Sequence, residues 1–331
     1  MQRCLYYLEN GDSTIFWFDV FDALSMNTGD VASCGFVERY YVTNIIAINA
    51  SNVDKELILR CVAYGLAEQK DLYKRYGIEI IFFGGETADL PDQTNSYIID
   101  MDVYSRTSVK NVIKGNIQPG DKIFGFSSGG KAVWEQDVNS GQMDNGLTLS
   151  RIGLMHKEYA EKYPFLCRED KPYRGRYRVD DYVRELEMTV GEAILSPTRQ
   201  WAIVIKLLID ELKKRKAFHI LHGISMNTGG GATKIKNLGK DIVYRKYMPE
   251  PLPYFKFIQR ETKEDWRNMF TTFNMGIGLD IVGSDKNGIL SKAIKAVSRQ
   301  TKIKSYKLGS CFNSASGNGV VLKTPYGKFE Y

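Results

Sequence analysis

The order of segments in the first third of the chain limits its fold more than any other feature. Residues 41–50 (YVTNIIAINA) form a short stretch rich in β-branched side chains, which reads as a strand. Helical spacing follows at Leu57, Ile58, Cys61, Val62 and Leu66, with Gly77 past its end. The apolar run IEIIFF then reads as a buried strand that ends on Gly84-Gly85. Residues 96–106 (SYIIDMDVYSR) alternate, with Asp100 and Asp102 on the polar face. Strand, helix, strand, strand requires an α/β layer rather than a helical bundle or an all-β sandwich.

A second unit follows a junction. Asn116 and the Pro119-Gly120 turn separate the first unit from a new strand at residues 122–126, so the chain divides into residues 1–117 and 118–331. A length of 331 residues suits two domains. Helical patterns are expected over residues 146–163, over 196–216 with Pro197 in the first turn, and over 286–300. Strands are expected at 218–225 and 273–284, and a hairpin at 320–331. The net charge of +6 is spread without a basic block, which excludes an evident nucleic-acid stripe but suits phosphorylated small molecules. The five cysteines are widely spaced with no C-x-x-C, which argues against a disulfide framework or a zinc knuckle and predicts a cytoplasmic protein. No apolar run is long enough to suggest a membrane partner.

Glycine-carboxylate motifs carry the chemistry. In GGETAD, Gly84, Gly85 and Thr87 can bring backbone amides close to an anion. Glu86 beside them makes sense if a divalent cation lies between carboxylate and phosphate, so it is a candidate Mg²⁺ ligand. Asp30, in a glycine turn closing the helix begun near Ile15, is the second candidate ligand. Gly229, Gly230 and Gly231 follow a strand and precede a helical pattern, an arrangement that aims free N–H groups at an anion, although the P-loop spacing is absent. DNGLTLSR (144–151) and SPTR (196–199) place polar groups at helix starts. His222 reads as a satisfied buried histidine, and the Phe16-Trp17-Phe18 cluster as core or dimer contact.

GGETAD, DNGLTLSR, ILSPTR, TGGG and FNMGIG occur in the order seen in phosphoribosylformylglycinamidine cyclo-ligase, and the chain resembles that family over nearly its whole length. FNMGIG (273–278), preceded by MFTT, is the most specific piece, and GGET is shared more widely, with selenophosphate synthetases and thiamine-phosphate kinases. The resemblance implies a two-domain α/β protein that forms a homodimer through its N-terminal sheets. It implies ATP and Mg²⁺ as cofactors and an ATP-dependent closure of the imidazole ring of formylglycinamidine ribonucleotide in purine biosynthesis. By position, Asp30 and Glu86 match the acidic metal sites. Asn145, Gly146, Ser150 and Arg151 match a Ser-Asn-Gly segment, and Thr198 and Arg199 match Pro-Thr-Arg; the resemblance implies that Asn145, Thr198 and Arg199 are catalytic, orienting substrate, and that Gly146, Ser150 and Arg151 bind it.

The sequence also departs from the family. An Asp-Gly-x-Gly-Thr-Lys segment expected ahead of the first helix is not in this sequence, GGKAVWEQDVNSGQM replaces Gly-Pro-His-Ser, and Met226-Asn227 replaces a histidine. Two other readings stay open: another ATP-using member of the superfamily, and a non-catalytic dimeric binding protein.

Overall fold

The structure is a computed structural model that describes residues 2–331. Helices α1 (Gln2–Asn10) and α2 (Trp17–Ser33) lead into strand β1 (Arg39–Ile48), helix α3 (Lys55–Arg75) and strands β2 (Glu79–Asp89) and β3 (Tyr97–Tyr104). These strands form a three-stranded sheet in the order β2-β1-β3, with β1 parallel to β2 and antiparallel to β3. Alternation decides its two faces. Tyr40, Val42, Ile46 and Ile48 are buried, while Ile45, Phe83, Ile98 and Tyr104 point outward and are each more than half exposed.

Strand β2 does not stop at Gly84-Gly85 as the sequence suggests; it runs on to Asp89. Residues 82 and 85 of β2 face residues 42 and 44 of β1, so one extra residue forms a bulge, an uncommon feature between parallel strands. Gly84 takes φ +92° there, and a Cβ on Gly85 would lie 1.8 Å from Asn44 Oδ1. The bulge therefore explains both glycines. Past it, Glu86 lies in register with Ile45, whose other neighbour is Asp100.

The remainder of the chain runs β4 (Lys122–Ser127), α4 (Leu147–Leu154), α5 (Glu158–Lys162), the short pair β5 (Tyr182–Val183) and β6 (Met188–Thr189), α6 (Val190–Leu195), α7 (Trp201–Lys214), β7 (Leu221–Met226), β8 (Ile242–Tyr247), α8 (Pro253–Thr262), α9 (Trp266–Thr272), β9 (Ile277–Gly283), α10 (Ile289–Thr301), β10 (Ser305–Asn313) and the hairpin β11 (Gly319–Thr324) and β12 (Gly327–Glu330). Seven of these strands form one sheet in the order β12-β11-β8-β10-β4-β9-β7. All neighbours are antiparallel except β8 and β11. Helix α7 is apolar on nearly every side because it is enclosed by α2, α10 and the rest of the core.

Several expected elements differ: the strand expected from residue 218 begins at Leu221 after a 3-10 turn (Phe218–Ile220), and the one expected from 273 begins at Ile277. The 146–163 pattern breaks at Met155, whose ψ of 137° ends α4. Helix α7 begins at Trp201, not at Pro197. Residues 196–200 are instead held extended by α2 and α3: Thr198 N–H donates to Asp22 Oδ1 (2.6 Å), Ser25 Oγ donates to Arg199 O (2.5 Å), and Tyr73 OH donates to Gln200 Oε1 (2.7 Å). Asp30 sits in the last turns of α2 rather than in a glycine turn. Among the described residues no helix is long and apolar enough to cross a membrane, and the five cysteines are free thiols.

Candidate functional site

One face of α2 builds the site. Asp19, Asp22, Met26 and Asp30 recur at helical spacing and line a cavity of about 460 Å³, a size suited to a small ligand. Asp100 of β3, Asp144 and Leu147 at the start of α4, and Ser196 complete its walls. Arg3 of α1 crosses the floor. Its Nε donates to Asp19 Oδ1 (2.7 Å), a second nitrogen donates to Asp22, and Tyr97 OH donates to the other Asp19 oxygen (2.6 Å). Asp22 is held above the usual carboxylate range by burial, opposed by Arg3.

Asp144 is pushed up to about 7, first by its loss of surrounding water and then by the charge of Asp22. A carboxyl whose folded value exceeds its unfolded value costs nothing at acid pH and becomes a liability as pH rises through the interval between the two. Asp144→Asn is therefore expected to melt with the parent at pH 4 and about 2 °C above it at pH 8. Scans at the two pH values check this; equal differences at both would remove the electrostatic cause.

The glycine loop at 228–231 meets α2 through a lysine. Lys234 Nζ donates to Thr228 Oγ1 (2.9 Å) and reaches Asp30 Oδ1 at 3.5 Å. Gly231 opens a 3-10 helix (Gly231–Asn237) rather than an α-helix, and Gly229 faces open space. The FNMGIG segment acts as scaffold here. Atoms of Phe273 lie where Cβ atoms on Gly146 and Gly231 would be, at 2.1 and 2.4 Å. Asn145 is tied to the same segment, its Nδ2 donating to Thr272 O (2.7 Å), while its buried Oδ1 has no partner.

The structure thus brings together Asp30, Gly229, Gly230, Gly231, Asn145 and Gly146 around one region, although only Asp30 of these lines the cavity itself. Ser150 and Arg151 are buried in α4, with Ser150 Oγ donating to Gly146 O (3.2 Å). Thr198 is buried, and its backbone is bound to Asp22. Arg199 is also buried, and its guanidinium is spent on the 129–135 loop. It donates to both oxygens of Glu135 (2.7 and 2.8 Å) and to the carbonyls of Ser127, Gly129 and Gly130. Gly84, Gly85, Glu86 and Thr87 lie on the outer strand, and Glu86 is exposed outside the cavity. His222 Nδ1 is 2.7 Å from Asp121 Oδ2 and lines neither the cavity nor its rim.

Sequence reasoning missed Arg3, Asp19, Asp22, Asp144 and Lys234 as a group. The i, i+3, i+7, i+11 spacing of Asp19, Asp22, Met26 and Asp30 was the available signal, since it puts all four on one side of a helix.

No family model matches the chain. Its backbone resembles that of the hydrogenase maturation protein HypE, with a TM-score of 0.56 at 17% identity over 94% of this chain and 81% of that one. A HypE structure solved in complex with ATP gives the same score at 15% identity, covering 94% and 78%. The thiamine monophosphate kinase of Aquifex aeolicus scores 0.50 at 14% identity, covering 96% and 83%. These likenesses define the class of fold, a mixed α/β architecture shared by all three. Among curated proteins, the phosphoribosylformylglycinamidine cyclo-ligase of Methanococcus vannielii is 30% identical over 304 residues, covering 91% of this chain and 73% of its own length. That of Pyrococcus furiosus is 30% identical over 290 residues, covering 87% and 71%. The chain belongs to the phosphoribosylformylglycinamidine cyclo-ligase family.

Proposed function

We propose that this chain closes the imidazole ring of formylglycinamidine ribonucleotide, consuming ATP and releasing ADP and phosphate. The single observation that carries this reading is the 30% identity to the Methanococcus vannielii cyclo-ligase across 91% of the chain. The cavity beside Asp30 and Lys234 supports it with suitable groups.

In the reaction the formyl oxygen takes the γ-phosphoryl group and ADP leaves. A substrate nitrogen then attacks the former formyl carbon, the C–O bond breaks with its electron pair passing to phosphate, and the nitrogen loses a proton. Lys234 and the amides of Gly229 and Gly230 would hold phosphate oxygens, the Gly231 N–H being spent on Thr228 O (2.8 Å), and the Asp144 carboxylate, titrating near neutrality, would take the proton.

Magnesium fits the donor set, which is oxygen-rich. Among the described residues no three acidic, histidine or cysteine side chains converge tightly enough to hold a metal by themselves. Mg²⁺ commonly uses one or two carboxylates and completes its shell with water and nucleotide phosphate. Asp30 and Asp100 would hold it, and it would neutralise phosphate charge. Glu86 shares a cross-strand row with Ile45 and Asp100 on the outward sheet face. A second copy laid against that face would cover Ile45, Phe83, Ile98 and Tyr104, an apolar group otherwise left in water, and would sit against both acids. We take this homodimer to be the working form.

A coupled ADP assay tests the reading. ADP release is expected to require formylglycinamidine ribonucleotide and Mg²⁺, and Lys234→Met is expected to raise the KM for ATP about tenfold. A second reading, a binding protein without turnover, is favoured by the position of Glu86 outside the cavity. ATP binding with no substrate-dependent ADP would select it.

A further inference from the structure

A larger cavity, about 1170 Å³, lies beside the carboxylate cleft along α2, the two divided by Leu195 and Ser196, which line both. Trp17, Phe18 and Phe21 face it, whereas Asp19, Asp22, Met26 and Asp30 face the cleft; the two sets occupy different but adjoining stripes of the helix, with Phe18 and Asp22, four residues apart, at their boundary. Trp134 from the 129–143 insert adds a fourth aromatic wall, and all four rings are only partly buried by the protein's own core. The sequence suggests that Trp17 and Phe18 serve core or dimer packing; in the structure Phe16 takes the core position and its two neighbours line this cavity.

Gln69 of α3 also lines the cavity. Its side chain is 2% exposed, and its amide oxygen has no hydrogen-bond partner. A buried amide left unpaired is costly, and a ligand edge offering an N–H would satisfy it. The charge of the lining limits what that ligand can be. Arg199 and Glu135 neutralise each other, leaving Lys74 and Arg75 against Asp12, Glu68, Asp71, Asp137, Glu187 and Glu192. An excess of carboxylates disfavours a phosphate-bearing molecule.

We propose that this cavity is a second ligand site, adjoining the carboxylate cleft but built on its own aromatic walls, that takes a planar nitrogen heterocycle without negative charge, of the purine base or nucleoside class. The aromatic walls stack on the ring faces, and the Gln69 amide pairs with the ring edge. The site does not depend on the cyclo-ligase reading, because none of its aromatic walls or Gln69 lines the cleft.

Adenosine is the probe. Two of the four tryptophans line the cavity, whereas Trp201 is buried in the core and Trp266 is stacked on Tyr326 at 3.6 Å. Adenosine is expected to quench tryptophan emission saturably, with or without saturating MgATP, and to bind more tightly than AMP. Gln69→Leu is expected to weaken binding about tenfold. Trp134→Leu, a change in a surface loop, is expected to weaken it and remove part of the quenching, and circular dichroism verifies that both variants fold. The proposal is overturned by any of four results: no saturable binding, displacement of adenosine by MgATP, unchanged affinity in both variants, or AMP binding more tightly than adenosine.

Discussion

Replacing Arg199 with methionine is expected to cost the fold about 3–5 kcal/mol. All five guanidinium N–H groups are engaged: two meet Glu135, and the others meet the carbonyls of Ser127, Gly129 and Gly130. The Arg199 side chain has no exposed surface, and Glu135 keeps little. Removing the cation leaves a nearly buried carboxylate without its counter-charge and takes a donor from three carbonyls, of which Gly130 O keeps the Asn139 N–H (3.0 Å), which is why the loss exceeds that of an ordinary ion pair. Glu135→Gln keeps an oxygen acceptor at the same place and is expected to cost less than half as much. Urea denaturation measures both, and proteolysis within residues 129–139 should quicken in Arg199→Met. At a temperature where the variant remains folded, KM should stay within about twofold of the parent, since the group has no free donor to offer substrate. A large rise in KM with unchanged stability would return Arg199 to the substrate-orienting role that the resemblance implies.

The second large effect lies beneath the glycine loop. Lys246 and Asp280 are both fully buried, 2.6 Å apart, and Lys246 Nζ also donates to Ala232 O (3.0 Å) at the start of the 3-10 helix that follows the loop. Burial raises Asp280 above the usual carboxylate range, and Lys246 opposes that rise. Lys246→Met is expected to lose about 3–5 kcal/mol by stranding the carboxylate, whereas Lys246→Met with Asp280→Leu should come within about 1 kcal/mol of the parent or exceed it. The single variant's deficit should shrink as pH falls from 7 toward 4. A stranded carboxyl has a folded value above its unfolded one, so its cost is present when it is ionised and vanishes once both states are protonated. Equal losses in the single and double variants across that range would show that packing, not charge, sets the effect.

How far these features can be read from sequence depends on range. The strand-helix-strand order of the N-terminal unit rests on local periodicity, and β1, α3, β2 and β3 occur where that periodicity predicts. Pro197 shows the limit: its position favours a helical first turn, but bonds from Asp22, Ser25 and Tyr73, more than 100 residues away, keep the segment extended. Gly84-Gly85 reads as a strand end because glycine weakens strands, yet the same freedom permits a bulge within one. Among the site residues, Asp30 and the 229–231 loop stand out by composition. Lys234 becomes part of the site only through its reach to Asp30 across the folded molecule, and Arg199 resembles a substrate-binding cation until all its donors are counted.

Strand β4, interior to the large sheet, pairs with β9 on one side and β10 on the other. Its partners begin at least 150 residues later in the chain, at Ile277 and Ser305. Loop-closure entropy across such separations has to be met before those ladders can form, which places this topology among the slow folders. During synthesis, residues 122–127 therefore leave the ribosome long before either neighbour exists, and the apolar Ile123, Phe124 and Phe126 wait without cover. Quality control by chaperones matters most in that interval.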